Sequence, residues 1–237
     1  KEYRRQRQMC IRDRLITVVS RGLGAVIDPA WWSQDMVGVR SSKEGGGALH
    51  AIAGTLMQTL VASLFSIPIG IFTAIYLVEY SNGNKLGKMT TFMVDILSGV
   101  PSIVAALFVY ALWITILGQQ RSGFAVSLSL ILLMIPVVVR NTEEMLRVVP
   151  MDLREASYAL GVPKWKTIMR IVLPTALSGI VTGIMLAVAR VMGESAPVLI
   201  LVGSTPTTNW FNMFDKPQSS LPVSYTHLRA HETRGNL

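Results

Sequence analysis

The chain has 237 residues, of which 51% are hydrophobic and 15% charged, and its mean hydropathy is +0.45. The net charge of +8 does not indicate nucleic-acid binding, because residues 1–14 alone hold six of the 22 lysines and arginines. The single cysteine, Cys10, excludes an internal disulfide and a thiol-based metal site, and scarce charge in an apolar chain is typical of a membrane protein.

The two ends of the chain differ in composition from everything between them. Residues 1–14 form a dense basic run, and residues 224–237 are polar. We interpret both as non-native tails, which places the membrane domain at 15–223; a native basic arm at the start is the alternative. Residues 15–27 are expected to be the remnant of a first membrane helix, followed by a polar loop with boundary tryptophans, Trp31 and Trp32.

Four apolar stretches follow, at about residues 51–77, 89–117, 124–139 and 173–202. Because about 20 helical residues cross a bilayer core, the first, second and fourth are long enough to cross while tilted or broken. Gly99 and Pro101 predict a break within the second stretch. The predicted fold class is therefore an all-α, polytopic transmembrane helical bundle. Buried helices of a soluble protein are the less favoured alternative.

Basic residues predict the orientation of the loops in the membrane. Lys85 and Lys88 place the loop after the first stretch in the cytoplasm, and Gly118–Gly123, with Arg121 as its one charge, should face outward. The long segment 140–172 should again be cytoplasmic, because it holds Arg140, Arg147, Arg154, Lys164, Lys166 and Arg170.

Part of this segment has the pattern of two short helices. Asp152 is placed to cap the first helix, with Glu155 three residues later to complete a capping box. Gly161 suits the left-handed position that ends a helix, and Pro163 suits the first turn of the next. One face of the first helix should carry Leu153, Ala156, Ser157 and Leu160.

A helical insert between membrane stretches favours a docking surface for another protein. The small residues Ala156, Ser157 and Ala159 would allow a partner's groove to approach closely. Arg154 and Glu155 would supply polar contacts at the rim of that surface. Ordinary internal packing of the two helices is the alternative.

The spacing of this insert resembles a known family. Glu155-Ala156-Ser157, three residues, Gly161, nine residues and Ile171-Val172-Leu173-Pro174 resemble the EAA loop of permease subunits of bacterial ABC importers. The resemblance implies the type I importer permease fold, with 140–172 as a coupling-helix loop that docks an ATPase. The implied coupling residues are Arg154, Glu155, Ala156, Ser157 and Gly161, with Ser157 replacing the usual alanine.

A narrower resemblance covers residues 15–225. Segments 95–104, 139–146 and 189–197 are similar to the PstA family of phosphate importer permeases. That family implies a multi-pass protein of the bacterial inner membrane without a cofactor of its own, with ATP hydrolysis on a partner. The implied partners are a PstC-like permease, two PstB-like ATPases and a periplasmic PstS-like phosphate-binding protein. The family has six membrane helices, and by this resemblance we expect most of the first and all of the sixth to be missing from this sequence.

Charges inside the apolar stretches are candidates for a substrate pathway. Arg190 and Glu194 lie four residues apart on the fourth stretch, where charges are costly and mark a pathway or a pair. In the functional interpretation Arg190 binds a passing oxyanion, because its planar guanidinium can donate two hydrogen bonds to phosphate. Glu194 would adjust the position of the Arg190 side chain. In the alternative the two neutralise each other. Arg140 is a weaker candidate, since it could instead anchor the helix to lipid headgroups.

Several rival functions stay open at this point. The same architecture could serve another oxyanion, such as sulfate or molybdate, or be a PstC-like subunit. A membrane-embedded enzyme using Arg190 and Glu194, and a non-transporting sensor that binds the ATPase, are more distant rivals. The stretch Gly83–Met89 fails the phosphate-loop motif, and the chain shows no metal-ligand spacing, so no catalytic or metal residue is predicted.

Overall fold

A computed structural model of the chain describes residues 27, 29–34, 47–81, 83–203, 205 and 217–223. The segments predicted to be non-native, 1–14 and 224–237, lie outside the described residues, as does nearly all of the predicted helix remnant. In the described part every regular element is a helix, which confirms the all-α fold class.

The helices are numbered here in chain order. Three of them continue into a π-helical segment: α2 into Tyr76–Tyr80, α4 into Tyr110–Ile116, and α7 through Ile168–Val172 into α8. The bounds are α1 Pro29–Ser33, α2 Leu49–Ile75, α3 Lys85–Gly99, α4 Ser102–Val109, α5 Gly123–Val148, α6 Met151–Ala159, α7 Lys164–Thr167, α8 Leu173–Met192 and α9 Ala196–Leu201.

Among the described residues, three helical segments are long and apolar enough to cross a membrane: Leu49–Tyr80, Gly123–Val148 and Lys164–Met192. The pair α3 and α4 forms a fourth span if it is counted as one, and it bends by 104°. The break predicted from Gly99 and Pro101 is therefore confirmed. Val100 is extended, with ψ of 124°, because a residue that precedes proline avoids the α region.

The last predicted stretch, 173–202, does not run unbroken. Helix α8 ends at Met192, and α9 begins only at Ala196. Pro197 lacks the N–H that an unbroken helix would donate to the carbonyl of Gly193, which accounts for the interruption. The third stretch is longer than predicted, since α5 continues nine residues beyond 139, to Val148.

Helix α5 lies at the centre of the described bundle, and glycines bring its neighbours close. A Cβ at Gly70 of α2 would lie 2.6 Å from Val138, and one at Gly183 of α8 would lie 2.9 Å from Asn141. Small residues are the usual means of close helix packing in lipid, where apolar surface gains nothing from leaving water. The core around α5 includes Ala62, Val126, Met134, Val138, Ala187, Val198 and Leu201.

The segment 217–223 packs against the first half of α2. Gln58 Nε2 donates to the carbonyl of Gln218 at 3.1 Å, and the Leu221 amide donates to Thr55 Oγ1 at 2.9 Å. Gly54 leaves the space that this segment needs, because a Cβ there would overlap the carbonyl oxygen of Ser219.

We therefore expect Gly54→Ala to destabilise the protein by about 1–3 kcal/mol, the usual cost of overpacking. The measurement is thermal unfolding of the purified protein in detergent. Gly99→Ala is the control, since a Cβ at Gly99 would meet no atom within 4 Å. Equal melting temperatures for the two variants would contradict the packing described.

Candidate substrate pathway and coupling site

The two breaks in the helices face one cavity of about 340 Å³. One wall comes from the α3–α4 break, one from α5, and one from the end of α8 together with the residues after it. The cavity brings together all three residues predicted for the substrate pathway. Its lining comprises Leu97, Ser98, Val100, Pro101, Ser102, Leu133, Pro136, Val137, Arg140, Asn141, Arg190, Val191 and Glu194.

Arg140 is held by carboxylates from two helices. Its guanidinium forms an ion pair with Asp95 of α3 and another with Glu143, one turn later on α5, at 2.8 Å. Glu143 in turn pairs with Arg147 at 2.8 Å. Arg140 thus joins the broken span to α5 through these protein carboxylates.

Arg190 and Glu194 line the same cavity without pairing to each other. Glu194 follows the end of α8 at Met192, so the two residues do not share the helical turn that their spacing suggests. Within the described part of the chain, neither side chain makes an ion pair or a side-chain hydrogen bond. The alternative in which the two charges neutralise each other therefore does not describe this structure.

The predicted pair of helices in the segment 140–172 is present, with different boundaries. Helix α6 begins at Met151 directly after Pro150, and no side chain caps it, so the predicted capping box of Asp152 and Glu155 is wrong. Gly161 has a φ of +73°, which confirms the left-handed position. The second helix begins at Lys164 and continues into the membrane span α8, so it is not a separate short helix.

The two sides of α6 differ sharply. Glu155, Ala156 and Leu160 are exposed, and Leu160 retains 82% of its accessible surface. Arg154 and Ser157 are buried, with 7% and 3% exposed. Arg154 therefore does not lie at the rim as expected, and Ser157 faces inward, where its Oγ lies 2.8 Å from Thr167 Oγ1.

The buried side of α6 contains an ion pair that was not predicted from the sequence. Arg154 contacts Glu79, at the end of the π-helical continuation of α2, with Nη2 lying 3.0 Å from Oε1. It also donates to the carbonyls of Val149 and Leu146, both at 2.9 Å. A signal existed, because a carboxylate at the C-terminal end of a helix is electrostatically unfavourable unless a cation lies near it.

The sequence is similar to known transport proteins. Residues 66–224 match the family described as binding-protein-dependent transport system inner membrane component. The phosphate transport system permease protein PstA of Mycobacterium leprae (strain TN) is 55% identical over 224 residues, which cover 94% of this chain and 73% of the relative. The chain belongs to this permease family, in its PstA branch. PstA of Yersinia pestis is 45% identical over 180 residues, covering 76% of this chain and 60% of the relative.

A solved structure supports the same fold for this permease. An inward-facing conformation of the MetNI methionine ABC transporter matches with a TM-score of 0.55 and 26% identity, covering 59% of this chain and 67% of that one. The permease is thus a multi-pass inner membrane subunit of an ABC importer and not an enzyme. ATP hydrolysis belongs to an ATPase partner, and a substrate-binding partner is implied as well.

Proposed function

We propose that this permease conducts phosphate inward across the membrane and that Arg190, Arg140 and Glu194 line its pathway. The observation that carries the proposal is the cavity between the two helix breaks, where Arg190 makes no ion pair within the described residues. Arg190 is exposed and lines the cavity, so its guanidinium is free to donate hydrogen bonds to a transported anion. The PstA relatives, named as phosphate transport permeases, support the choice of anion.

The lining of the cavity suits an oxyanion of this kind. The guanidinium groups of Arg140 and Arg190 and the hydroxyl of Ser102 provide hydrogen-bond donors. Asn141 Nδ2 donates to the carbonyl of Gly183 at 3.3 Å and has a second N–H, whereas the hydroxyl of Ser98 already donates to the carbonyl of Asp95 at 2.8 Å. Glu194 is the contrasting group, because an ionised carboxylate only accepts hydrogen bonds. A hydrogen phosphate ion carries an O–H that can donate to Glu194, whereas sulfate at neutral pH carries none. Glu194 also limits affinity, which allows the ion to leave.

In the proposed mechanism the two breaks act as joints between rigid helical pieces. The α3–α4 pair and the α8–α9 pair would pivot at 100–101 and 193–195, opening the cavity to one side of the membrane and then to the other. Irregular backbone at membrane depth is tolerated where it lines a polar cavity, as it does here. ATP binding by the partner would drive the movement through α6.

The partners proposed for the permease are a PstC-like second permease, two PstB-like ATPases and a PstS-like phosphate-binding protein. The ATPase would contact the exposed side of α6, where Glu155 and Ala156 lie beside Leu153 and Leu160. Gly161 would fix the turn that presents this side. Arg154 and Ser157, which are buried, would contribute from within by holding the helix in place.

The test is uptake of radiolabelled phosphate by cells that lack their own high-affinity importer and express the permease with its partner genes. We expect ATP-dependent uptake that an excess of unlabelled phosphate abolishes and an equal excess of sulfate or molybdate leaves unchanged. The matched control is the same strain without the permease gene. Stronger competition by sulfate or molybdate than by phosphate would refute the choice of substrate.

A further inference from the structure

The buried side of α6 forms a network that reaches all three long spans. Arg154 binds Glu79 at the end of the α2 span and the carbonyls of Leu146 and Val149 at the end of α5. Ser157 meets Thr167, the last residue of α7, whose helix leads into α8. We call Glu79, Arg154, Ser157, Lys164 and Thr167 the α6 network.

The basic side chains of the α6 network bind the free carbonyls at the ends of two helices. The last carbonyls of a helix have no intrahelical donor, and they carry the negative end of the helix dipole. Arg154 supplies a donor and a positive charge at the end of α5, which ends at Val148. Lys164 does the same for the α2 span, because its Nζ donates to the carbonyl of Glu79. It also lies 5.1 Å from the ring centroid of Tyr80.

The ion pair between Glu79 and Arg154 is buried, which limits how its two side chains can rearrange. Both side chains are almost inaccessible, so neither charge can exchange its partner for water when α6 shifts. A displacement of α6 would then leave a carboxylate and two carbonyls unsatisfied unless the ends of α2 and α5 moved with it. Buried ion pairs contribute little net stability, so a role in positioning is a better account of this one than a role in folding.

We propose that Arg154 and Glu79 are positioning residues that transmit the movement of α6 to the ends of α2 and α5. This inference rests on the proposed docking of an ATPase to α6. It assigns the two sides of the helix different tasks: the exposed side binds the ATPase, and the buried side passes its displacement to the spans that wall the cavity. Loss of the buried network should therefore separate ATP hydrolysis from transport while leaving docking intact.

The experiment compares Arg154→Gln with Arg170→Gln in the complete importer reconstituted in liposomes. Arg170 lies on the π-helical segment between α7 and α8, is exposed, and lies outside both the α6 network and the cavity that holds Arg190. Three quantities are measured: ATPase co-purified with the permease, ATP hydrolysed, and phosphate moved per ATP. We expect Arg154→Gln to retain the ATPase and to lower phosphate moved per ATP about tenfold, and Arg170→Gln to match the parent.

An unchanged ratio of phosphate to ATP in an assembled Arg154→Gln complex would overturn the proposal. If that variant fails to assemble, the same measurements are made on Arg154→Lys. Lysine keeps a charge for Glu79 but cannot reach both carbonyls. An assembled but poorly coupled lysine variant would support transmission. Failure of both to assemble would make the network a requirement of folding and overturn the proposal. A parent complex that moves no phosphate would instead refute the proposed function.

Discussion

Replacing Arg190 with glutamine is expected to reduce phosphate uptake by about 10- to 100-fold, equivalent to the loss of a hydrogen bond to a charged group. Arg190 lines the cavity without an ion pair in the described structure, so a passing anion would be the partner that this guanidinium lacks. Glutamine keeps a donor and much of the length but removes the charge and the planar fork. Initial rates of radiolabelled uptake at several phosphate concentrations measure the effect.

Two controls make the Arg190 result interpretable. Arg170→Gln removes a charge from an exposed position outside the cavity and should leave uptake close to that of the parent. Arg190→Lys should fall between parent and glutamine variant, because lysine keeps the charge but not the two-pronged geometry. Full uptake by Arg190→Gln, with normal amounts of assembled complex, would remove Arg190 from the pathway.

Replacing Gly161 with proline is expected to abolish coupled transport, with uptake falling about 100-fold, while membrane insertion persists. Gly161 has a φ of +73°, and proline is fixed near −65°, so the turn between α6 and α7 would be rebuilt. The substitution also removes the amide that donates to the Tyr158 carbonyl at 2.9 Å. The exposed side of α6 would then face the ATPase in the wrong orientation, as phosphate uptake and ATPase co-purification would show.

Gly83→Pro is the matched control for this prediction. Gly83 also has a positive φ, +77°, lies in the loop before α3, and has open space around it. It should share any general cost of a proline in a tight turn without disturbing α6. If both variants transport normally, the left-handed turn at Gly161 has no part in coupling. If both lose uptake equally, the defect is one of insertion or folding.

Prolines show how far the breaks could be predicted from sequence. Pro101 correctly predicted a break, whereas Pro68 and Pro136 lie inside α2 and α5, which continue past them. Pro197 marks a break that was not predicted. In both breaks a glycine precedes the proline by two to four residues, at Gly99 and Gly193. A proline alone does not decide the outcome, because neighbouring helices can satisfy the carbonyl that it frees.

The residues of the candidate sites were also predicted only in part. The sequence predicted Arg140, Arg190 and Glu194 individually, because charges in apolar stretches are conspicuous, and the bundle brings them to one cavity. It did not predict Glu79 as the partner of Arg154, which lies 75 positions away. Helical periodicity also misplaced Ser157, since a single-helix pattern contains no information about which neighbours cover the helix.

The chain of charges Asp95, Arg140, Glu143 and Arg147 has an energetic consequence for an ion that leaves the cavity inward. The four groups alternate in sign and sum to zero, so at a distance their potential is weak. A carboxylate and a phosphate present similar oxygens to a guanidinium. An anion that displaced Asp95 from Arg140 would therefore exchange one pairing for another. The released Asp95 side chain, which is 57% exposed, would be hydrated, so the exchange would leave no bare charge in a low dielectric.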